Sequence, residues 1–254
     1  MVRRWFSTAH SGVNELLALA ALYGVYEVVR GFGGEDFAAA LANTGDIVTL
    51  ERHLGVFVEQ AVQESVDGLA GVPALLGLAY IALHFVGTTA VVVWVHRSRP
   101  DAYPMVRTTL VAATALALVG YLAYPAAPPR LADLGFADTV TEHTGLNLSS
   151  DLLGSFYNPI AAVPSLHFGY ALIVGVALAT LARRRSVRIA GALYPGLMLF
   201  VIVATGNHFL FDAAAGGLTV AAAWLVARAV VAGSGGRVDR TTRTRWASLS
   251  ARSS

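Results

Sequence analysis

Four ionisable side chains stand in otherwise apolar surroundings and could together act on an anion: Arg130, His167, His208 and Asp212. His208 and Asp212 are four residues apart, so a helix stacks them on one face. A carboxylate there holds one ring nitrogen protonated and leaves the other free as a nucleophile. His167 follows Pro164-Ser165-Leu166. Proline suits a first helical turn, where its missing N–H costs nothing. The amides of that turn, with the Ser165 hydroxyl, make an anion site, and His167 lies close enough to exchange a proton with a bound group. Arg130 ends the run Pro125-Ala-Ala-Pro-Pro-Arg130 and supplies the planar, permanently charged fork that suits phosphate oxygens. Asn158 and Asn207 are expected beside them as hydrogen-bond donors. Each piece alone is weak: a histidine at a membrane boundary is commonly an interfacial side chain, and a His–Asp pair at this spacing commonly a local hydrogen bond. Their weight comes from sharing one depth, which depends on the elements between them.

Those elements read as membrane spans. Of the 254 residues, 56% are hydrophobic and 13% charged, and the mean hydropathy is +0.60; a soluble domain carries about 25% charged residues. A transmembrane helix needs roughly 20 mainly apolar residues. Six stretches qualify, at about 12–29, 70–95, 106–124, 164–182, 189–206 and 212–232. The first is the weakest, because it contains Glu15 and Glu27. Its preceding Arg3-Arg4 brushes against a twin-arginine export signal, but no clear small-residue cleavage site follows, and it reads as a retained span. The expected fold class is therefore all-α: a six-helix polytopic membrane domain over residues 1–232. Residues 233–254 are rich in Gly, Ser, Thr and Arg and read as a disordered basic tail.

The charges orient the chain. Arg3 and Arg4, then Arg97, Arg99 and Arg107, then Arg183, Arg184, Arg185 and Arg188, and last Arg237, Arg240, Arg243 and Arg245 all fall on one side of six spans. The positive-inside rule makes that side the cytoplasm. Both termini are then cytoplasmic, at the inner (plasma) membrane of a bacterial cell. The loops 30–69 and 125–163 lie outside with most of the acids, and all three polar motifs share the extracytoplasmic depth. The sequence pI near 9.1 comes from these loop clusters and does not point to nucleic acid. Without cysteine there are no disulfides and no thiolate metal sites.

Two further features matter. In 36–66, Ile47, Leu50, Leu54, Phe57 and Ala61 recur at helical spacing while Glu51, Arg52, Glu59, Gln60 and Gln63 occupy other faces. This predicts an amphipathic helix on the outer leaflet, or one packed on the bundle. His84 sits midway along the second span and is expected well below the pocket. An ionisable group at that depth is functional by default, and a neutral histidine bonded to a neighbouring helix is equally open.

The motifs Tyr124-Pro-Ala-Ala-Pro-Pro-Arg-Leu131, Asn158-Pro-Ile-Ala-Ala-Val-Pro-Ser-Leu-His-Phe-Gly169 and Ala204-Thr-Gly-Asn-His-Phe-Leu-Phe-Asp212 resemble the type 2 phosphatidic acid phosphatase superfamily, in particular its inositol-phosphorylceramide-synthase-like branch. Leu50-Glu-Arg-His-Leu-Gly-Val-Phe-Val-Glu59, with Gln63, is similar to that branch's outer segment. The resemblance implies an integral membrane lipid phosphatase or phosphotransferase acting on a phospholipid or polyprenyl (di)phosphate. His208 would attack phosphorus and form a phosphohistidine, Asp212 would orient it, and His167 would protonate the leaving oxygen and later activate the acceptor. Arg130, Ser165, Asn207 and Asn158 would bind the phosphate. No cofactor and no metal are implied; the partners are a lipid phosphate, a polyol or lipid acceptor, and the bilayer.

The chain departs from the superfamily pattern in three places. Leu166 stands where Pro-Ser-Gly-His is commonest, Ile202 replaces an arginine six residues before His208, and Ala123 replaces a lysine seven residues before Arg130. Arg130 is thus the one cation left of three, and backbone amides and Asn207 must do more. Arg99-Pro100 imitates the first motif from the cytoplasmic side. The rival from another class is a carrier or assembly factor that binds an anionic headgroup without catalysis; an intact His–Asp pair argues against it, since binding needs no positioned nucleophile.

Overall fold

The computed structural model describes residue 24, residues 37–145 and residues 160–250, with side chains up to residue 232. The expected first span at 12–29, apart from Gly24, and Asn158 lie outside the described residues. The elements are α1 (Phe37–Leu54), α2 (Glu59–Asp67), α3 (Val72–Ala82), a π-turn (Leu83–Gly87), α4 (Thr88–Ser98), α5 (Tyr103–Ala123), α6 (Thr139–Thr144), α7 (Leu166–Leu181), α8 (Arg185–Ala204) and α9 (Leu210–Ser250). Four stretches are long and apolar enough to cross a membrane: Val72–Ser98, Tyr103–Ala123, Arg185–Ala204 and Leu210–Ala232. The fifth apolar helix, Leu166–Leu181, has 16 residues. At 1.5 Å per residue it is roughly 24 Å long, short of an upright span. The backbone of α9 continues past Ala232 through residues 233–250, the stretch whose composition reads as a disordered tail.

Proline opens α3 and α5 within their first turns, where the lost N–H had no helical acceptor. Pro195 lies inside α8 and packs on α7: a Cβ on Gly175 would stand 2.8 Å from the Pro195 ring and 2.7 Å from the Gly191 carbonyl. Small residues thus bring two apolar helices to backbone contact, as membrane packing requires. The π-turn interrupts the long second span. A π-turn leaves a carbonyl without its regular helical partner, and here the Tyr194 hydroxyl of α8 donates to Leu83 O at 2.7 Å.

The two ends of the bundle differ. At one, Arg99 Nε and Nη2 donate to Leu181 O at 3.0 and 2.8 Å, and Arg188 Nε donates to Ala179 O at 2.9 Å, covering the last carbonyls of α7. Arg183, Arg184 and Arg185 share this end, and it is where Arg99-Pro100 lies. At the other end are the start of α7, the start of α9 and the loop that carries Arg130.

The stretch 37–66 departs from its expected phase. Gly55 takes a φ of +69°, so the chain breaks between α1 and α2 and no single helical stripe runs from Ile47 to Ala61. Ile47 is buried, yet Leu50 and Leu54 are exposed. Glu51, Glu59 and Gln63 are buried instead. The face of α1 that enters the protein carries Ile47, Val48 and Glu51, with the two apolar residues packed against Ala126, Ala162, Val163 and Phe209.

Candidate active site

The site is built from three chain segments tied together by backbone. Ala126 N donates to Ile160 O and Ala162 N to Ala126 O, joining the Arg130 loop to the approach of α7. Ser165 N donates to Asp212 O at 3.0 Å, joining the start of α7 to the first turn of α9. Arg130 N donates to Gly206 O at 2.9 Å, closing the ring. Gly206 is required there on two counts. Its φ is +66°, and a Cβ would stand 2.9 Å from Gln63 Nε2 and 3.0 Å from Ala137 O. Gly216, one turn beyond Asp212, meets the Ser165 carbonyl so closely that a Cβ would collide with it.

Asp212 is fully buried and His208 nearly so. Asp212 Oδ2 accepts from Phe209 N at 2.9 Å and lies 3.1 Å from His208 Nδ1. A carboxylate oxygen offers only lone pairs, so this contact is a hydrogen bond when Nδ1 carries the proton, which leaves the Nε2 lone pair outward. The His167 ring lies 5.6 Å from that of His208, centroid to centroid, within the span of one phosphate group. His167 Nε2 is buried without a hydrogen-bond partner among the described residues.

Arg130 is buried in a short 3₁₀ turn, Pro129–Leu131. Its Nε donates to Asn207 Oδ1 at 2.9 Å and its Nη1 lies 3.6 Å from Asp138 Oδ2. Asn207 in turn donates through Nδ2 to Thr205 O and Oγ1, so its amide orients the guanidinium beside His208. Ser165 is the N-cap of α7, its Oγ accepting from Phe168 N at 3.3 Å. The Leu166 and His167 amides belong to the first helical turn and have no acceptor within the helix. Arg130, Ser165, His167, Asn207, His208 and Asp212 are therefore brought together. Ile202, where the superfamily pattern has arginine, is fully buried, and its carbonyl accepts from both Asn207 N and His208 N.

His84 is the misplaced expectation. It lies against the site rather than well below it: its ring is 4.0 Å from that of His167 and 5.2 Å from that of Tyr170. Tyr80, one turn earlier, stacks on His167 at 4.2 Å and 15°. The Tyr80/His84 spacing of four was a signal, because it puts two rings on one helix face. Glu51 and Glu59 were read only as polar positions of the outer segment, yet both reach the first turn of α9: Glu51 Oε1 accepts from Phe211 N at 2.7 Å and Glu59 Oε1 from Leu210 N at 2.8 Å. Among the described residues no group of three or more acidic or histidine side chains is arranged to hold a metal ion.

No curated protein and no solved structure matches the chain. One family model, described as the PAP2 superfamily, matches residues 45–226. That stretch includes Glu51, Glu59, Arg130, His167, His208 and Asp212, and on it the chain belongs to the PAP2 superfamily.

Proposed function

We propose that the protein is an integral membrane lipid phosphatase or phosphotransferase working through a phosphohistidine at His208, in the inositol-phosphorylceramide-synthase-like branch of its superfamily. Its substrate class is a phospholipid or polyprenyl (di)phosphate, reached from the extracytoplasmic side of the inner membrane. The observation that carries this reading is the pair of imidazoles 5.6 Å apart, one held by a buried carboxylate at 3.1 Å and the other with a buried Nε2 that has no partner among the described residues. A headgroup-binding carrier has no need of that asymmetry.

His208 Nε2 attacks phosphorus, a P–N bond forms and the P–O bond to the lipid breaks. The leaving oxygen takes its proton from His167 Nε2. Asp212 keeps the imidazole in the attacking tautomer and stabilises its charge as it becomes bound. Arg130, the Leu166 and His167 amides and the Ser165 hydroxyl face the charge gathering on the equatorial oxygens. In the second half, water or an acceptor hydroxyl gives its proton to His167 and attacks phosphorus, and the P–N bond breaks to restore His208. Hydrolysis and transfer differ only in which hydroxyl arrives.

The test is incubation of purified protein with a panel of phospholipids and polyprenyl phosphates, with and without myo-inositol. Free phosphate marks a phosphatase and a new phospholipid marks a transferase. Neither product from any substrate would overturn the reading.

A further inference from the structure

The start of α9 offers three consecutive amides, that of Phe209 just before the helix and those of Leu210 and Phe211 in its first turn, the kind of helix start that ordinarily attracts an anionic ligand. Here each is occupied by a carboxylate of the protein itself: Asp212 on Phe209, Glu59 on Leu210 and Glu51 on Phe211. The two glutamates come from α1 and α2, far away in sequence, and both are buried at 2% and 0% exposure. Each uses only one oxygen. Glu51 Oε2 and Glu59 Oε2 are buried without a hydrogen-bond partner among the described residues, and the Glu51 side chain lies within hydrogen-bonding reach of Glu59. Two bare carboxylates so placed would face each other with lone pairs alone; one proton between them turns the contact into a hydrogen bond.

We propose that Glu51 and Glu59 are positioning residues for His208: a carboxyl pair sharing one proton clamps the first turn of α9 and thereby sets the direction of the His208–Asp212 pair. The proposal rests on His208 acting as the nucleophile. Burying acids is costly unless they are paired and hydrogen-bonded, so an apolar contact would serve mere packing better. What the acids add is direction, because each oxygen fixes one amide. The titratable groups facing the pair are each other, across α1 and α2, and Asp212 on α9, to which His208 is bonded. Burial, opposed by the Phe211 amide and joined by the Glu59 and Asp212 charges, pushes the Glu51 carboxyl up to about 8.

Glutamine separates this clamp from a packing role. In Glu51→Gln or Glu59→Gln the amide oxygen still accepts from the backbone, and the amide NH2 donates to the remaining carboxylate, imitating the shared proton. In the double variant two NH2 groups face each other with no acceptor. The experiment compares full-length wild type, both single variants and the double variant in detergent micelles, measuring kcat and KM on dioleoyl phosphatidate from pH 5 to 9.5, trapped phosphohistidine, and hydrogen exchange at Leu210 and Phe211. The wild-type rate falls as pH rises through about 8 and the Glu51 carboxyl ionises. Both single variants keep kcat within about threefold at pH 6, and Glu51→Gln, which removes the titrating carboxyl, loses that fall. The double variant loses about a hundredfold in kcat, the scale of a misplaced reacting group, with KM within about threefold and faster exchange at both amides. Glu51→Gln with the wild-type pH profile overturns the proposal, and so does a double variant with wild-type rate and protection. Should the wild type release no phosphate from any lipid, the functional reading falls separately. The exchange pattern then still decides the clamp: unchanged protection in the double variant overturns it, and lost protection there, with single variants protected, upholds it.

Discussion

The rings of His84 and His167 meet at 4.0 Å with a 30° tilt, although they come from different helices and His84 looked from sequence like a residue of the membrane interior. The reason lies at the opposite end of the bundle. Arg99 binds the Leu181 carbonyl, which puts the ends of α4 and α7 level. Fourteen residues back from Ser98 is His84, and fourteen back from Leu181 is His167. At a common rise of 1.5 Å per residue both are carried roughly 21 Å up the bundle. His84 itself lies in the π-turn Leu83–Gly87, a feature frequent at functional sites.

Tyr80 and His84 therefore hold the His167 imidazole between aromatic surfaces. His84→Ala removes one of them and is expected to lower kcat by about five- to tenfold, the scale of one aromatic contact. His84→Phe keeps a ring in place and should retain most of the rate. Equal losses in the two variants would mean that a nitrogen of His84, not its ring, is what His167 needs.

The crossing of α7 and α9 tolerates no methyl group at Gly216. Gly216→Ala drives a Cβ into the Ser165 carbonyl and should destabilise the protein by about 1–3 kcal/mol, as overpacking does. Gly217→Ala is the control, since its Cβ would meet Leu172 and Phe168 at an ordinary 3.7 Å. Thermal unfolding in micelles, followed by circular dichroism, compares them. Similar melting temperatures for the two would contradict the close approach.

The Glu51 carboxyl makes stability depend on pH. Its ordinary value of 4.5 is raised to about 8 in the fold, chiefly by burial, so between those values the folded chain holds a proton that the unfolded chain has lost. Stability is then greatest below about 4.5 and declines as pH rises toward 8. Glu51→Gln has no such proton and should flatten the decline in melting temperature across this window. An identical slope in wild type and variant would remove Glu51 as its source.

Much of this site was legible in the sequence because it rests on short-range spacing. His208 and Asp212, four residues apart, do meet, but across the turn before α9 and not on a helix face, since α9 begins at Leu210; Pro164 likewise lies just before the first turn of α7, whose N-cap is Ser165. The five apolar helices of the described residues fall close to the expected stretches. The stretch 37–66 was less legible. A single left-handed glycine, Gly55, ends the stripe before Phe57 and Ala61, and within α1 the buried face carries Ile47, Val48 and Glu51 while Leu50 and Leu54 are exposed. Glu51 and Glu59 are buried by partners more than 150 positions away, and nothing local announces that two acids are wanted at the start of α9. Ile202 at the place of an arginine was visible as a departure. That its carbonyl would accept two site amides was not, because a backbone role leaves no mark on residue type.

The membrane orientation is tested by labelling. The chain has no cysteine, so single cysteines introduced at Asp46 and Glu142, both exposed at the site end, start from a clean background. An impermeant thiol reagent added to intact cells should modify both and should spare a cysteine at Ser186, at the arginine-rich end. Modification of Ser186→Cys with protection of the other two would put the site in the cytoplasm.

The two histidines should separate by leaving group. His208 has a carboxylate 3.1 Å from Nδ1, whereas His167 stacks on Tyr80, meets the tilted ring of His84 and has no acid at its ring among the described residues. If His208 is the nucleophile, His208→Ala abolishes phosphoenzyme and turnover together on every substrate. His167→Ala should cost most with an alkyl phosphate, whose departing alkoxide needs a proton; general acid help is worth roughly 100- to 10,000-fold. With an aryl phosphate, whose leaving oxygen is already stable as an anion, the same variant should lose far less. Asp212→Asn should keep the helix start largely intact, since an amide oxygen can still accept from Phe209 N, yet slow the attack because the imidazole loses both its tautomer and the charge that stabilises it. Acid-labile phosphate trapped from radiolabelled substrate and mapped by peptide locates the intermediate directly. Phosphate on His167, or full turnover in His208→Ala, would reverse the assignment, because the residue left with the buried carboxylate would then be the one that chemistry does not use.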